Sequence, residues 1–102
     1  MLEHNRIGIE ESEYFVALLS EEYLNDPEAI ECFIYAKNLG KPFIVLRDTN
    51  YTSIPEDMFK GINVILNEEC DFNSNNISEY ISNKLMSVLK VKASEIEVKG
   101  GR

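Results

Sequence analysis

The chain has 102 residues, which is enough for one domain with a hydrophobic core but leaves no room for a second core. Hydrophobic residues make up 44% of the chain and charged residues 27%, an ordinary balance for a globular protein. The net charge of −8 argues against nucleic acid or an anionic membrane surface as the main partner, because both repel a negative protein.

The sequence also indicates a compartment. No segment approaches the roughly 20 apolar residues of a membrane span, and residues 1–6 lack the apolar region of a signal peptide. The two cysteines, Cys32 and Cys70, match neither a disulfide framework nor the ligand spacing of a zinc site. We therefore expect a reduced, cytoplasmic protein with no bound metal and no cofactor.

The first strong pattern is an apolar run over residues 14–20, which predicts a strand buried on both faces. A helix start follows, where Asp26 suits the N-cap and Pro27 the first helical position. This helix is expected to run to about Leu39, with Gly40 as the residue that ends it.

The rest of the chain continues the alternation of strand and helix. The patterns predict a strand over residues 42–47, a short helix over 55–60, a strand over 62–66 and a helix over 77–91. Such an order predicts an α/β fold with three layers and a short parallel sheet. We expect one domain over residues 1–93, followed by a tail over 94–102 that is either flexible or an edge strand.

Several short segments in a fixed order suggest a family. They are Ile9 followed by Ser12, the strand Phe15 to Leu19, Ser20-Glu21-Glu22-Tyr23-Leu24, the capped helix with Ala36, and Gly40-Lys41-Pro42-Phe43-Ile44-Val45. This order resembles the second half of a TIR domain, which has a flavodoxin-like fold, and Ile54-Pro55 with the strand over 62–66 continues the likeness. The segment from Tyr35 to Pro42 is equally similar to nucleoside 2-deoxyribosyltransferases.

The resemblance implies a position for a catalytic carboxylate. Where members of the two families are enzymes, a glutamate on this helix acts at the sugar carbon of an N-glycosidic bond, in NAD or a deoxynucleoside. In TIR sequences it lies nine residues after the tyrosine of a Tyr-Leu pair and four before a small helical residue. Counting from Tyr23 and from Ala36 gives Cys32 both times. Glu31 is adjacent, but one helical step turns it by about 100°, toward solvent.

The resemblance also implies that part of the family's pocket is missing. The TIR domain's first strand and the loop after its second strand have no counterpart before Ile7. The chain is then a fragment, a reduced domain without catalysis, or a domain whose pocket another chain completes. The strand over residues 14–20 would lie at a sheet edge, and open apolar edges recruit partners.

Three hypotheses follow. The leading one is a non-catalytic, TIR-like interaction module in signalling or defence, which pairs with a second copy or another TIR-like chain. The candidate interface residues are Tyr14, Val16, Leu18, Tyr23 and Tyr35. The alternative is an enzyme that binds NAD or a nucleoside, with Glu31 or Cys32 as the catalytic residue. A third is a receiver-like regulatory domain without phosphotransfer, whose partners alone distinguish it from the first.

Overall fold

The computed structural model describes residues 1–100, and it describes side chains for residues 1–90. The elements in chain order are α1 (Glu3–Glu11), β1 (Phe15–Leu19), α2 (Glu21–Leu24), α3 (Pro27–Asn38), β2 (Pro42–Asp48), a short 3₁₀ helix (Glu56–Phe59), β3 (Asn63–Cys70) and α4 (Ile77–Gly100). The chain divides into two compact units. The first is Met1–Phe72, and the second begins at Asn73 and contains α4.

The three strands form one parallel sheet in the order β1-β2-β3, which confirms the prediction of an α/β fold with a parallel sheet. The register pairs Ala17 with Val45 and Val45 with Asn67. The ladder between β2 and β3 contains a β-bulge, because Phe43 pairs with Val64 while the next residue of β2 pairs with Leu66. β3 extends four residues beyond its predicted end, since an edge strand tolerates polar residues that a central strand does not.

Both ends of α3 follow the sequence signals. The Asp26 carboxylate accepts a hydrogen bond from the backbone N–H of Glu28 at 3.0 Å, so Asp26 is the N-cap. At the other end Gly40 has a φ of 74°, a left-handed conformation that costs glycine little. Its N–H donates to Lys37 O, and the N–H of Lys41 donates to Ala36 O, which together form a Schellman motif.

The core of the first unit lies between the sheet and the two helices α1 and α3. Its buried residues are Ile9, Ala17, Leu19, Phe33, Ala36, Phe43 and Val45. The ring of Phe43 lies 5.0 Å from that of Phe33 and 5.1 Å from that of Phe15, measured between centroids. Tilted and edge-to-face aromatic contacts of this kind add to the stabilisation from buried area.

The two ends of the described chain also differ from the sequence expectations. Residues 3–11 form α1, where no element was predicted, because this segment has no apolar stripe and buries only Ile9. The tail expected from residue 94 onward as flexible or as an edge strand instead continues α4 as helix to Gly100. Residues 101–102 lie outside the described part.

Phe33 should be a main contributor to the stability of the first unit. Its side chain is 2% exposed, and we expect Phe33→Ala to lower the free energy of unfolding by about 3 to 5 kcal/mol. Ile34, the next residue of α3, is 50% exposed, so Ile34→Ala should cost less than about 1 kcal/mol. Urea denaturation followed by circular dichroism measures both. Equal losses would contradict this assignment of the buried face.

Candidate functional site

An open cleft of about 400 Å³ lies beside β1 and brings together three elements of the first unit. α1 contributes His4, Asn5 and Gly8, and α3 contributes Cys32. Val16 comes from the start of β1, and Tyr14 from the residue before that strand. The cleft therefore contains the position that the two sequence counts single out for a carboxylate. It is the natural place to test the catalytic alternative.

Cys32 occupies that position as a protonated thiol. Burial raises the pKa of Cys32, and the nearby carboxylates of Glu28 and Glu31 raise it further by disfavouring a second negative charge. Its sulfur donates a long hydrogen bond of 3.9 Å to Glu28 Oε1. A reactive cysteine has a lowered pKa, so this environment does not activate Cys32 as a nucleophile.

Glu31 lies outside the residues that line the cleft. Its side chain is 50% exposed, as the helical projection predicts, and one carboxylate oxygen is 2.5 Å from the amine of Met1. The structure therefore brings Cys32 to the cleft and leaves Glu31 at the surface of α3. A carboxylate that acts on a sugar must reach the bound substrate, and Glu31 does not reach this cleft.

Glu28 links α3 to the N-terminal segment, a role that the sequence analysis did not assign to it. Its Oε1 accepts hydrogen bonds from Asn5 Nδ2 at 3.1 Å and from Leu2 N at 3.4 Å. The bond from Asn5 is the main cause that lowers the pKa of the Glu28 carboxyl. The carboxylate one turn before Cys32 is therefore engaged in holding α1 against α3.

The five candidate interface residues lie in two groups. Tyr14, Val16 and Leu18 are half-buried along β1 and the turn before it. Tyr35 donates its hydroxyl to the Glu10 carboxylate and so takes part in the contact between α1 and α3. The hydroxyl of Tyr23 is buried and has no hydrogen-bond partner among the described residues. Tyr23 and Tyr35 both pack against the core of the first unit, whereas the β1 group lies at the sheet edge.

Sequence reasoning missed α1 and with it one wall of the cleft. A local signal was present, because Arg6 and Glu10 are four residues apart and form an ion pair of 2.9 Å. Arg6 also pairs with Glu3 at 3.3 Å. Such pairs support a helix that has no apolar stripe, and weighing them would have placed a helix at the start of the chain.

Neither a metal site nor a membrane span occurs in the described part of the chain. Within the residues whose side chains are described, no three His, Cys, Asp or Glu residues come together as metal ligands would. None of the described helices is long and apolar enough to cross a membrane. No family model, no curated protein and no solved structure matches the chain. The resemblance to TIR domains therefore stays a prediction from the residues quoted above.

Removing the Tyr23 hydroxyl should stabilise the protein. A buried hydroxyl without a partner loses its hydrogen bonds to water on folding, so Tyr23→Phe should raise the free energy of unfolding by about 1 kcal/mol. Tyr35→Phe is the matched control and should lower it slightly, because that hydroxyl donates to Glu10. Urea denaturation measures both, and a loss of stability in Tyr23→Phe would mean that its hydroxyl has a partner.

The thiol of Cys32 should react slowly at neutral pH. In a Cys70→Ala variant Cys32 is the only thiol, and its raised pKa leaves less reactive thiolate than a free cysteine has. We expect alkylation by iodoacetamide to be slower than for a short cysteine peptide at pH 8. The rate should rise with pH beyond the point where the peptide levels off. A faster reaction than the peptide would indicate an activated nucleophile and favour the enzyme hypothesis.

Proposed function

We propose that the protein is a non-catalytic assembly module that pairs with a second copy of itself through the free edge of β1. The observation that supports this proposal is the difference in chemistry between the two edges of the sheet. Exposed strand edges offer unpaired backbone groups to other chains, and proteins commonly protect such edges with charged or polar residues. One edge of this sheet has that protection and the other lacks it.

β3 is the protected edge. Four of its eight residues are polar or charged, namely Asn63, Asn67, Glu68 and Glu69. Glu69 forms an ion pair of 2.7 Å with Arg47 on the neighbouring strand, so this charge also has a structural role. A second sheet that approached β3 would bring carboxylates of two acidic chains together. This edge therefore disfavours pairing with another copy.

β1 is the unprotected edge. All five of its residues are apolar, and among the described residues β2 is the only strand that pairs with it. Ala17 and Leu19 point into the core, while Val16 and Leu18 are half-buried on the opposite face. A partner strand at this edge would satisfy backbone groups and cover Val16 and Leu18 at the same time.

A second copy is the partner that this edge fits best. Antiparallel pairing about a two-fold axis at Ala17 places Val16 beside Leu18 of the partner subunit, so the same short segment forms both halves of the interface. The two sheets then form one sheet of six strands. The net charge of −8 opposes this association at low salt, so added salt should strengthen the dimer by screening the repulsion.

The resemblance to TIR domains extends the proposal to a role in signalling or defence, where such modules assemble. The alternative of an enzyme for NAD or nucleosides has less support from the site. The cleft has a protonated cysteine at the position of the expected carboxylate, and Glu31 lies at the surface. The geometry therefore favours assembly over catalysis.

Oppositely charged substitutions on the two sides of the proposed two-fold axis test the dimer. Sedimentation equilibrium should show a wild-type dimer at about 0.1 mM protein and moderate salt. Val16→Glu alone and Leu18→Lys alone should each produce monomers, because each places an unpaired charge against an apolar partner side chain. The double variant Val16→Glu with Leu18→Lys should regain the dimer, since each new glutamate then faces a lysine of the other copy.

Ile65→Glu is the matched control. Ile65 is an exposed apolar residue on the other edge strand, so this variant should remain a dimer. Circular dichroism confirms that each variant is folded before its mass is compared. A wild-type monomer under these conditions overturns the proposal, as does loss of the dimer in Ile65→Glu. A folded double variant that stays monomeric rules out the antiparallel register about Ala17.

A further inference from the structure

A second cavity, separate from the β1 cleft, lies at the carboxyl ends of β2 and β3. Its volume is about 460 Å³, within the range of small-molecule sites. Its walls come from the end of β2, the loop over residues 49–54, the 3₁₀ helix and the outer part of β3. Loops that follow strands commonly carry binding residues, because the strands hold them in place.

The arginine in this cavity is held in a fixed position. Arg47 Nε donates to Asn67 Oδ1 and Arg47 Nη1 donates to Glu69 Oε1, each at 2.7 Å. Both partners lie on β3, so the guanidinium is oriented by the sheet itself. The second terminal nitrogen, Nη2, has no partner among the described residues. Arg47 therefore offers free N–H groups from a preorganised position, which suits recognition of a carboxylate.

The loop beside Arg47 is also held in place. Asp48 accepts hydrogen bonds from the backbone N–H of Asn50 at 3.0 Å, from Asn50 Nδ2 at 2.8 Å and from the backbone N–H of Phe72 at 3.3 Å. Partial burial acts to raise the pKa of this carboxyl, but the three bonds outweigh it and hold the pKa below its usual value. The loop that carries Thr49 and Thr52 into the cavity wall is therefore anchored without a ligand.

The charges in the cavity wall limit what can bind there. One arginine and three carboxylates, those of Asp48, Glu56 and Glu69, line it. Asp48 is occupied by its three donors and Glu69 by Arg47, whereas the exposed Glu56 has no partner among the described residues. The excess of negative charge repels a simple anion, and a simple cation leaves the free N–H groups of Arg47 unused.

We propose that this cavity binds a free amino acid. The carboxylate of the ligand accepts hydrogen bonds from Arg47, and its ammonium group lies near Glu56. The apolar side chains of Ile54 and Phe59, which also line the cavity, contact the side chain of the ligand. A zwitterion is the class of small molecule that uses the arginine and the free glutamate together without adding net charge.

Binding can be measured by NMR on the ¹⁵N-labelled full chain. We expect saturable shifts of backbone amides in residues 47–59 on titration with one or more of the standard amino acids. Acetate and inorganic phosphate lack the ammonium group, and ethylamine lacks the carboxylate, so none of these three probes should give saturable shifts. Saturation by acetate or phosphate as tight as that by the best amino acid overturns the proposal, as does the absence of saturation by any amino acid.

Glu56→Gln tests the ammonium end of the site. Glu56 is exposed and unpaired among the described residues, so this variant should fold as the wild type does. We expect it to bind the best amino acid about tenfold more weakly, because a charge-assisted hydrogen bond is lost. Asp57→Asn is the matched control. Asp57 is the next residue of the same 3₁₀ helix, pairs with Lys60 at 3.4 Å and does not line this cavity.

The outcomes for this site and for the β1 interface are separate. Unchanged affinity in Glu56→Gln, or an equal loss in Asp57→Asn, overturns the proposed arrangement of the ligand. Neither variant touches β1, so the oligomeric state of the chain should be the same in both. Failure of amino-acid binding would therefore leave the assembly proposal as it stands, and a monomeric wild type would leave this cavity intact.

Discussion

The first unit of the fold depends on the complete burial of β2. Four consecutive residues of this strand, Phe43 to Leu46, are at most 1% exposed, so both faces of the strand are removed from water. Both edges of the strand are paired as well, with β1 on one side and β3 on the other, so its buried backbone groups find hydrogen-bond partners within the sheet. The aromatic contacts of Phe43 then fix how α3 lies on the sheet, and α3 in turn positions Cys32 and Glu28 beside α1.

The same arrangement separates two kinds of surface. The lateral edge of the sheet at β1 presents backbone and apolar side chains, which suit a protein strand. The carboxyl end of β2 and β3 presents an oriented arginine and an anchored loop, which suit a small polar molecule. Arg47 lies at this carboxyl end, just beyond the buried part of β2. β2 is still paired with β3 at that point, so residues of β3 can hold the arginine in place. A short sheet can in this way serve two unrelated contacts.

The sequence predicts most of the sheet and α3, because burial and capping leave local signals. The apolar runs mark β1 and β2, and Asp26-Pro27 with Gly40 marks the limits of α3. α1 was missed because it has no apolar stripe, and because its contact with α3 joins residues that are distant in the chain. The cavity near Arg47 could not be predicted either, since its partners Asn67 and Glu69 lie on a strand twenty or more residues away.

The β-bulge in the ladder between β2 and β3 bears on how far an assembly can grow. Ile65 is the extra residue of the bulge, so no residue of β2 pairs with it. A bulge bends and twists the strand that carries it. A bent, charged outer strand cannot template a further straight strand, whereas β1 has no such irregularity. In a dimer formed through β1, each copy has already paired the one edge of its described sheet that suits a further strand. The proposed assembly is therefore a closed pair, because β3, the other edge of the sheet in the described residues, does not suit a further strand.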